Sequence, residues 1–578
     1  MINFNPISRI RCELGKFFLF LALLVGISIE GLAMPSNFEI QKLALTCKVW
    51  GFLKYYHPAV ASGKLNWDLG LVKILPIVAE EKSLHRLNKI GLTVISSIGD
   101  VPKCTTCAEI NRNWFNKNFS LSWTDNTTRF SQPMIERLDH IEQNRFQPTE
   151  KFRNGSYYAT KGELGQAVFS NELVGEYFGV CDDEFRLLDL FRYWNAIEYF
   201  FPYKYQMDLN WDSTLIEMIP EFLKSRSIRE YQLTLNNLIA RINDSHSTLT
   251  SSAEIQFRGD KMIPVIFKLI DDTLVVIELV NENLLQNKNL QMGDVVSQIN
   301  DQPVSKILDE WEYAIPASNL SASRRDIAIL FSFTFQDSVK FTLRRRGKQM
   351  VSHVRSYPLD TVFAEAQDIS SQEKWIILNK NIGYANLRSI TDDEVKQMMH
   401  DLSSCRSIVF DLRNYPPTTI HNLGQYFVSD PWNFANFIVP DYGYPGRFIW
   451  RNEEWMRMAQ KIRALQEAYT GPSYSGEVFV LVSDWTQSDA EGMAMCFQTF
   501  SNCTVVGNHT AGAVGFPTSI SFYSTHQTTF SGVGVFYPDS TEIQRTGVSI
   551  DYYVPVTIEG LSSGEDEVLN FALSLAEK

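Results

Sequence analysis

Residues 476–497 read "GEVFVLVSDWTQSDAEGMAMCF", and the parsing of this stretch decides the fold of the C-terminal half. The run Val478–Val482 is short, continuous and rich in β-branched residues, as in a strand buried on both faces. A polar turn follows, and then apolar residues recur at helical spacing from Ala490 to Phe497. A strand feeding directly into a helix is the building unit of an α/β sheet. Ser488 stands at the junction and reads in two ways. With Glu491 three residues later it forms a capping-box pattern. It is also placed as a nucleophile at a strand-to-helix turn, where backbone N–H groups and the helix dipole favour negative charge. The two readings are compatible, and the amide of Asp489 is a natural oxyanion donor.

The same alternation extends outward. "NIGYANLRSI", "SIVFDLRNYPP" and "CTVVGNHTAGA" read as strands running into loops, and "TDDEVKQMMHDLSS" as a helix. An α/β core over 361–578 follows, with its active loops at the strand ends. Residues 257–360 show short alternating runs, the signature of a small β-domain. Within it "RRRGK" at 344–348 suits a hairpin turn. Leu290 to Val304, with Gly293-Asp294 before "VVSQIN", resembles half of a PDZ domain.

Upstream lies an internal repeat at a constant offset of 144 residues. Residues 43–76 align without gaps on 187–220, with ten identities that include Trp50/Trp194, Pro58/Pro202 and the tripeptides Asn66-Trp67-Asp68 and Asn210-Trp211-Asp212. The pattern predicts amphipathic helices broken at the prolines and restarted at asparagine caps. Copy one spans 34–115, a connecting segment 116–180, and copy two 181–256. The register continues to Asp100/Asp244, where the copies part: "GDVP" in the first, "NDSHS" in the second. A helix end needs no histidine, as the first copy shows, so the contrast marks Ser245 and His246 as functional candidates.

The totals narrow the function class. A formal net charge of -13 argues against a nucleic-acid partner. Arg9, Arg11 and Lys16 precede the apolar run 17–29, and Gly31 and Ala33 follow, so residues 1–33 read as a signal peptide. Thirteen apolar residues fall short of the about 20 that span a bilayer. The expectation is a periplasmic or secreted protein without an integral membrane segment after signal removal; an uncleaved anchor is the alternative. Cys104 and Cys107 form a lone "CTTC" without a second ligand pair, which suits a local disulfide or spectator thiols. Cys496 reads as a buried free thiol.

The order of helical segment, PDZ-like domain and α/β core, with "DLR" before "SxxE" before "GxxTxG", resembles the C-terminal-processing (tail-specific) serine peptidases. The tricorn-core-like branch is the nearest variant, and the likeness covers 181–578. It implies a multidomain α+β protein with a Clp protease/crotonase-like core, acting on a protein or peptide substrate through an acyl-enzyme on Ser488. No cofactor or metal is implied. The tail-specific branch places a lysine where this chain has Ala513, so a Ser–Lys dyad is not available. The tricorn-like branch implies His246 as general base, Ser245 as an auxiliary hydroxyl, and an acid at Glu542, although Gln544 falls closest to the acid's position. Where the family has oxyanion-loop glycines this chain has Pro417 and Thr418, which leaves Thr418 as the second donor because proline has no N–H. The alternative is a catalytically inactive relative that binds a peptide or an apolar ligand.

Overall fold

A computed structural model describes residues 35–107, 113–148, 157–175, 182–250, 259–270, 272–285, 289–364, 373–378, 381–416, 423–427, 434–451 and 473–578. The proposed signal segment lies outside them. Among the described residues no helix is long and apolar enough to cross a membrane.

The first helical unit contains α1 (Asn37–Tyr56), α2 (Trp67–Glu80), α3 (Leu84–Ile98) and α4 (Gln132–Gln143). The second contains α5 (Asp183–Phe200), α6 (Trp211–Lys224) and α7 (Ile228–Ala240). The asparagine caps act as their type requires. Asn66 accepts from Leu69 N–H and Asn210 from Ser213 N–H, each at 3.0 Å. The helix-breaking expectation holds at Pro58 and Pro202, which follow the ends of α1 and α5. It fails at Pro76 and Pro220, which lie inside α2 and α6. One lost N–H bond is tolerated there because Leu71, Leu75 and Val78, and likewise Leu215, Met218 and Phe222, stay buried along the packed face.

A reciprocal indole clasp closes each unit. Trp50 and Trp67 each donate Nε1–H to the other's carbonyl (3.3 and 3.0 Å), and Trp194 and Trp211 do the same (2.9 and 3.0 Å). The units meet through residues that correspond at the 144-residue offset. A Cβ on Gly51 would lie 1.7 Å from Asn195 Oδ1, so α1 and α5 cross where only glycine fits. Tyr55 packs edge-on against Tyr199, its counterpart, at 5.3 Å.

Strand β1 (Leu249–Thr250) leaves the second unit. The β-domain that follows is a sheet of β2 (Val265–Ile270), β3 (Thr273–Leu279), β4 (Val295–Ile299), β5 (Ser338–Arg345) and β6 (Lys348–Arg355) in antiparallel order β6-β5-β4-β3-β2, with α8 (Leu320–Leu330) packed on β2. The basic cluster turns the β5–β6 hairpin through Arg346 and Gly347, both at positive φ.

The core sheet comprises β7 (Trp375–Leu378), β8 (Ile382–Asn386), β9 (Ser407–Asp411), β10 (Glu477–Val482), β11 (Cys503–Gly507) and, after the hairpin β12 (Pro517–Ser521)/β13 (Gln527–Ser531), β14 (Tyr552–Tyr553). Its order is β7-β8-β9-β10-β11-β14, parallel throughout except at β7. Helix α9 (Asp392–Leu402) joins β8 to β9, and α10 (Asp489–Phe497) joins β10 to β11. Phe410 and Val480 share a core with Met493 and Phe497 of α10. On the other face Val409 and Leu481 pack with Val568 and Ala572 of α11 (Glu567–Ala576). Both faces are covered, which is why these strands read as unbroken apolar runs.

Beyond this sheet, β1 pairs with β13, Leu249 opposite Thr528, so the chain just after His246 is stitched to the core. The β12–β13 tip is held by the second helical unit: Tyr523 N–H donates to Asp189, and Gln232 meets the buried His526 ring at 3.2 Å. Burial pushes His526 down to about 4. Cys104 and Cys107 are joined in a disulfide, and Cys496 is a buried free thiol.

Candidate active site

Ser488 lies at φ 56 and ψ -118, a backbone conformation that L-residues rarely adopt and that costs about 1–3 kcal/mol. Three contacts hold it there. Its N–H donates to Ala513 O at 2.9 Å and to Glu491 Oε2 at 3.3 Å, and its carbonyl receives Gly492 N–H at 3.0 Å. Ser488 and Glu491 are disposed as a capping box, yet the Ser488 hydroxyl makes no capping hydrogen bond. The fully buried Glu491 carboxylate also accepts from Thr510 Oγ1 (2.5 Å), Gly512 N–H (2.7 Å) and Ala513 N–H (2.9 Å). Burial pushes this carboxyl above its ordinary value, and the donors pull against that. Glu491 thus gives the spacing "SxxE … GxxTxG" a physical meaning: one carboxylate ties the loop after β11 to the turn that presents Ser488.

His246 sits on the turn after α7, its side chain largely covered at 9% exposure, with its ring oriented from one side only. Nδ1 lies 2.9 Å from Ser531 Oγ, whose hydroxyl donates to Asp244 Oδ1 at 3.1 Å. Asp244 is completely buried and also accepts from Ser531 N–H (2.6 Å) and His246 N–H (3.2 Å); its Oδ1 is 3.8 Å from Nδ1. A carboxylate only accepts, so Ser531 gives its proton to Asp244 and receives Nδ1–H from the imidazole. That chain fixes the tautomer with a lone pair on Nε2. Nε2 is buried and has no hydrogen-bond partner among the described residues. Burial pushes the imidazole below its ordinary value, while Asp244 and Asp489 pull it up.

The structure brings the Ser488 and His246 turns together. Gln487, directly before Ser488, donates to the carbonyl of Ser245, directly before His246, at 3.2 Å, and Arg325 of α8 holds Gln487 Oε1 at 2.9 Å. No hydrogen bond joins His246 to Ser488. Ser245 is buried and faces away from the imidazole. Its hydroxyl accepts from Ser318 N–H at 2.8 Å and approaches Ala511 O at 3.5 Å, which buckles the helical unit, the β-domain and the core together.

Glu542 does not reach His246. Its carboxylate is taken by Lys117 (2.9 Å), Tyr205 (2.8 Å) and Gln206 (2.9 Å). The buried Gln544 lies against Asp244 instead, at 3.4 Å. The carboxylate facing the imidazole is therefore Asp244, two residues before it. The Asp489 amide lies at the first turn of α10 beside the Tyr415 hydroxyl. Thr418 and Pro417 lie outside the described residues. Sequence reasoning missed Asp244 and Ser531 as partners of His246. The first stood in the quoted "NDSHS"; nothing in the sequence signalled the second.

Residues 447–554, which include β10, Ser488 and the loop bound by Glu491, match the sequence profile of Peptidase family S41. Over this stretch the chain is similar to Peptidase family S41. That match supports a serine-type peptidase acting on peptide bonds. No curated protein matches the sequence. Among solved structures, mature CPAF is 12% identical with a TM-score of 0.52, the alignment covering 68% of this chain and 96% of that one. Mature CPAF complexed with lactacystin gives 12% and 0.51, covering 68% and 98%. The photosystem II D1 C-terminal processing protease is 14% identical at a TM-score of 0.37, covering 67% and 99%. At such identities the CPAF likeness is one of fold alone.

Proposed function

We propose that this protein is an S41-type peptidase that hydrolyses proteins or peptides through an acyl-enzyme on Ser488, with His246 as general base. One observation carries the assignment: a largely covered imidazole whose Nδ1 is committed to Ser531 and Asp244, and whose Nε2 is left without a partner among the described residues, beside the Ser488 turn. A serine needs that free lone pair to lose its proton on attack, and apo geometry is commonly looser than the reacting one. Asp244 replaces Glu542 as the orienting acid, acting through Ser531. The Asp489 amide receives the developing oxyanion at the helix N-terminus.

Edge strand β2, α8 and the core enclose a cleft of about 760 Å³, lined by Lys268, Ile270, Arg324, Asp484 and His509. This supports a PDZ-like role for 257–360 in leading a polypeptide toward the site. The Cys104–Cys107 disulfide supports export beyond the reducing cytosol, as the leader at 1–33 suggests.

Fluorophosphonate labelling of the purified protein tests the nucleophile. Ser488→Ala should abolish both labelling and hydrolysis; labelling that survives the substitution refutes the assignment.

A further inference from the structure

The peptidase reading leaves one part open among the described residues, a second donor for the oxyanion, since Thr418 lies outside them. The loop that supplies it in the family pattern here reads "DLRNYPP", residues 411–417, and Pro416 and Pro417 have no N–H to give. We infer that the hydroxyl of Tyr415 is the second oxyanion donor, an inference that rests on the nucleophile assignment above.

The loop is anchored just before Tyr415. Arg413 grips Asp411 (2.6 and 3.0 Å) and Asp566 (2.7 Å), Leu412 N–H bonds Leu481 O at 3.0 Å, and Thr486 donates to Leu412 O at 2.8 Å. The phenol, two residues on, reaches across to the start of α10. Its hydroxyl lies 3.4 Å from Asp489 Oδ2, and the Ser488 side chain and the Asp489 N–H both act on its titration. A substrate carbonyl attacked by Ser488 must bring its oxygen to this point. The ring is 53% exposed, so it can draw back by an atom's width and keep the oxygen as its partner. Burial, then the Asp489 carboxylate, pushes the phenol above its ordinary value, which keeps it a donor at neutral pH.

The step balances without another reactant. Ser488 Oγ bonds to the carbonyl carbon as its proton passes to His246 Nε2. The C=O π pair moves onto the oxygen, which Asp489 N–H and Tyr415 O–H then hold. Collapse expels the amine, which takes the proton from Nε2.

Tyr415→Phe removes one oxygen from a half-exposed ring and should fold normally, which the thermal midpoint checks. With a fluorogenic peptide substrate kcat should fall by about 10²–10³-fold, the usual loss for one oxyanion donor, with KM changed by less than about threefold. Affinity for a peptide boronic acid, whose tetrahedral adduct places an oxygen at the same point, should fall in parallel. An unchanged kcat, with hydrolysis still abolished by Ser488→Ala, overturns the Tyr415 role and leaves the nucleophile standing. A raised kcat overturns it too, since the phenol would then be an obstruction. Hydrolysis that survives Ser488→Ala removes the nucleophile and this inference together.

Discussion

The two helical units share a frame and differ in what stands at its end. Each runs an indole clasp and an asparagine-capped helix into a turn at positive φ, at Gly99 in the first and Asn243 in the second. Past that turn the first unit offers an exposed Asp100 and tucks Val101 into its own core. The second buries Asp244 completely, bonds it to Ser531 of the core hairpin, and holds His246 beside the Ser488 turn. The frame ends a helix in both places. What distinguishes the second is a short polar turn whose partners lie in the α/β core.

The most direct way to break this comparison is to erase the difference. His246→Gln should lower kcat/KM by about 10²–10⁴-fold, the usual contribution of a general base. Because burial holds the His246 imidazole below its ordinary value of 6.5, the base stays neutral as pH falls through 6.5. Activity should therefore be kept at 6.5 and drop on an acid limb centred below it. Asp244→Asn removes a charge that raises the imidazole, so its limb should shift further to acid. A limb centred above 6.5 in the wild type counts against His246 as the base.

Local signals carried much of this architecture into the sequence. The strand-to-helix parse of 476–497, the asparagine caps and the 2-versus-3.6 periodicities depend on neighbours within a few residues, and the chain displays them directly. Ser488 and His246 were legible because each sits in a short local pattern. Ser531 was not, since it joins His246 from 285 positions away in the chain, and an isolated serine in a strand has no signature. Glu542 misled for a related reason. Carboxylates near a site look alike in sequence, and only packing shows that this one serves Lys117 and Tyr205 while Gln544 turns inward. Pro76 and Pro220 misled because propensity was read without the burial that overrides it.

The interface between the units supplies a second contrast, between two ion pairs whose residues correspond at the same offset. Arg192 meets Asp68 at 2.6 Å with both side chains fully buried; Lys48 meets Asp212 at 2.8 Å with Asp212 56% exposed. The buried pair is also shared. Lys54 lies 3.3 Å from Asp68 and 2.7 Å from Glu172, and Arg192 reaches Glu172 at 2.9 Å and the carbonyl of Ser521 in the core hairpin at 2.8 Å. Burial opposes ionisation of Asp68, yet Lys54 and Arg192 overcome it and hold the carboxyl well below its usual range. Asp68→Ala leaves the buried Lys54 and Arg192 sharing Glu172, with Asp189 4.0 Å from Arg192. It should destabilise the protein by about 3–5 kcal/mol in urea unfolding. A loss under about 1 kcal/mol would mean that the cluster does not tie the units together.

The exposed pair sharpens the same contrast at its small end. Asp212→Ala should cost no more than about 1 kcal/mol, and less at high salt, because water already screens that carboxylate. Lys48→Ala should cost more than its partner. The Lys48 ammonium is mostly covered and lies 5.5 Å and 5.7 Å from the ring centres of Trp123 and Trp194, contacts that survive without Asp212. A double-mutant cycle separates the two contributions. A coupling energy near that of the buried pair would show that exposure does not set the strength of these corresponding contacts. A small coupling beside a larger Lys48 effect would place the remainder on the indole faces.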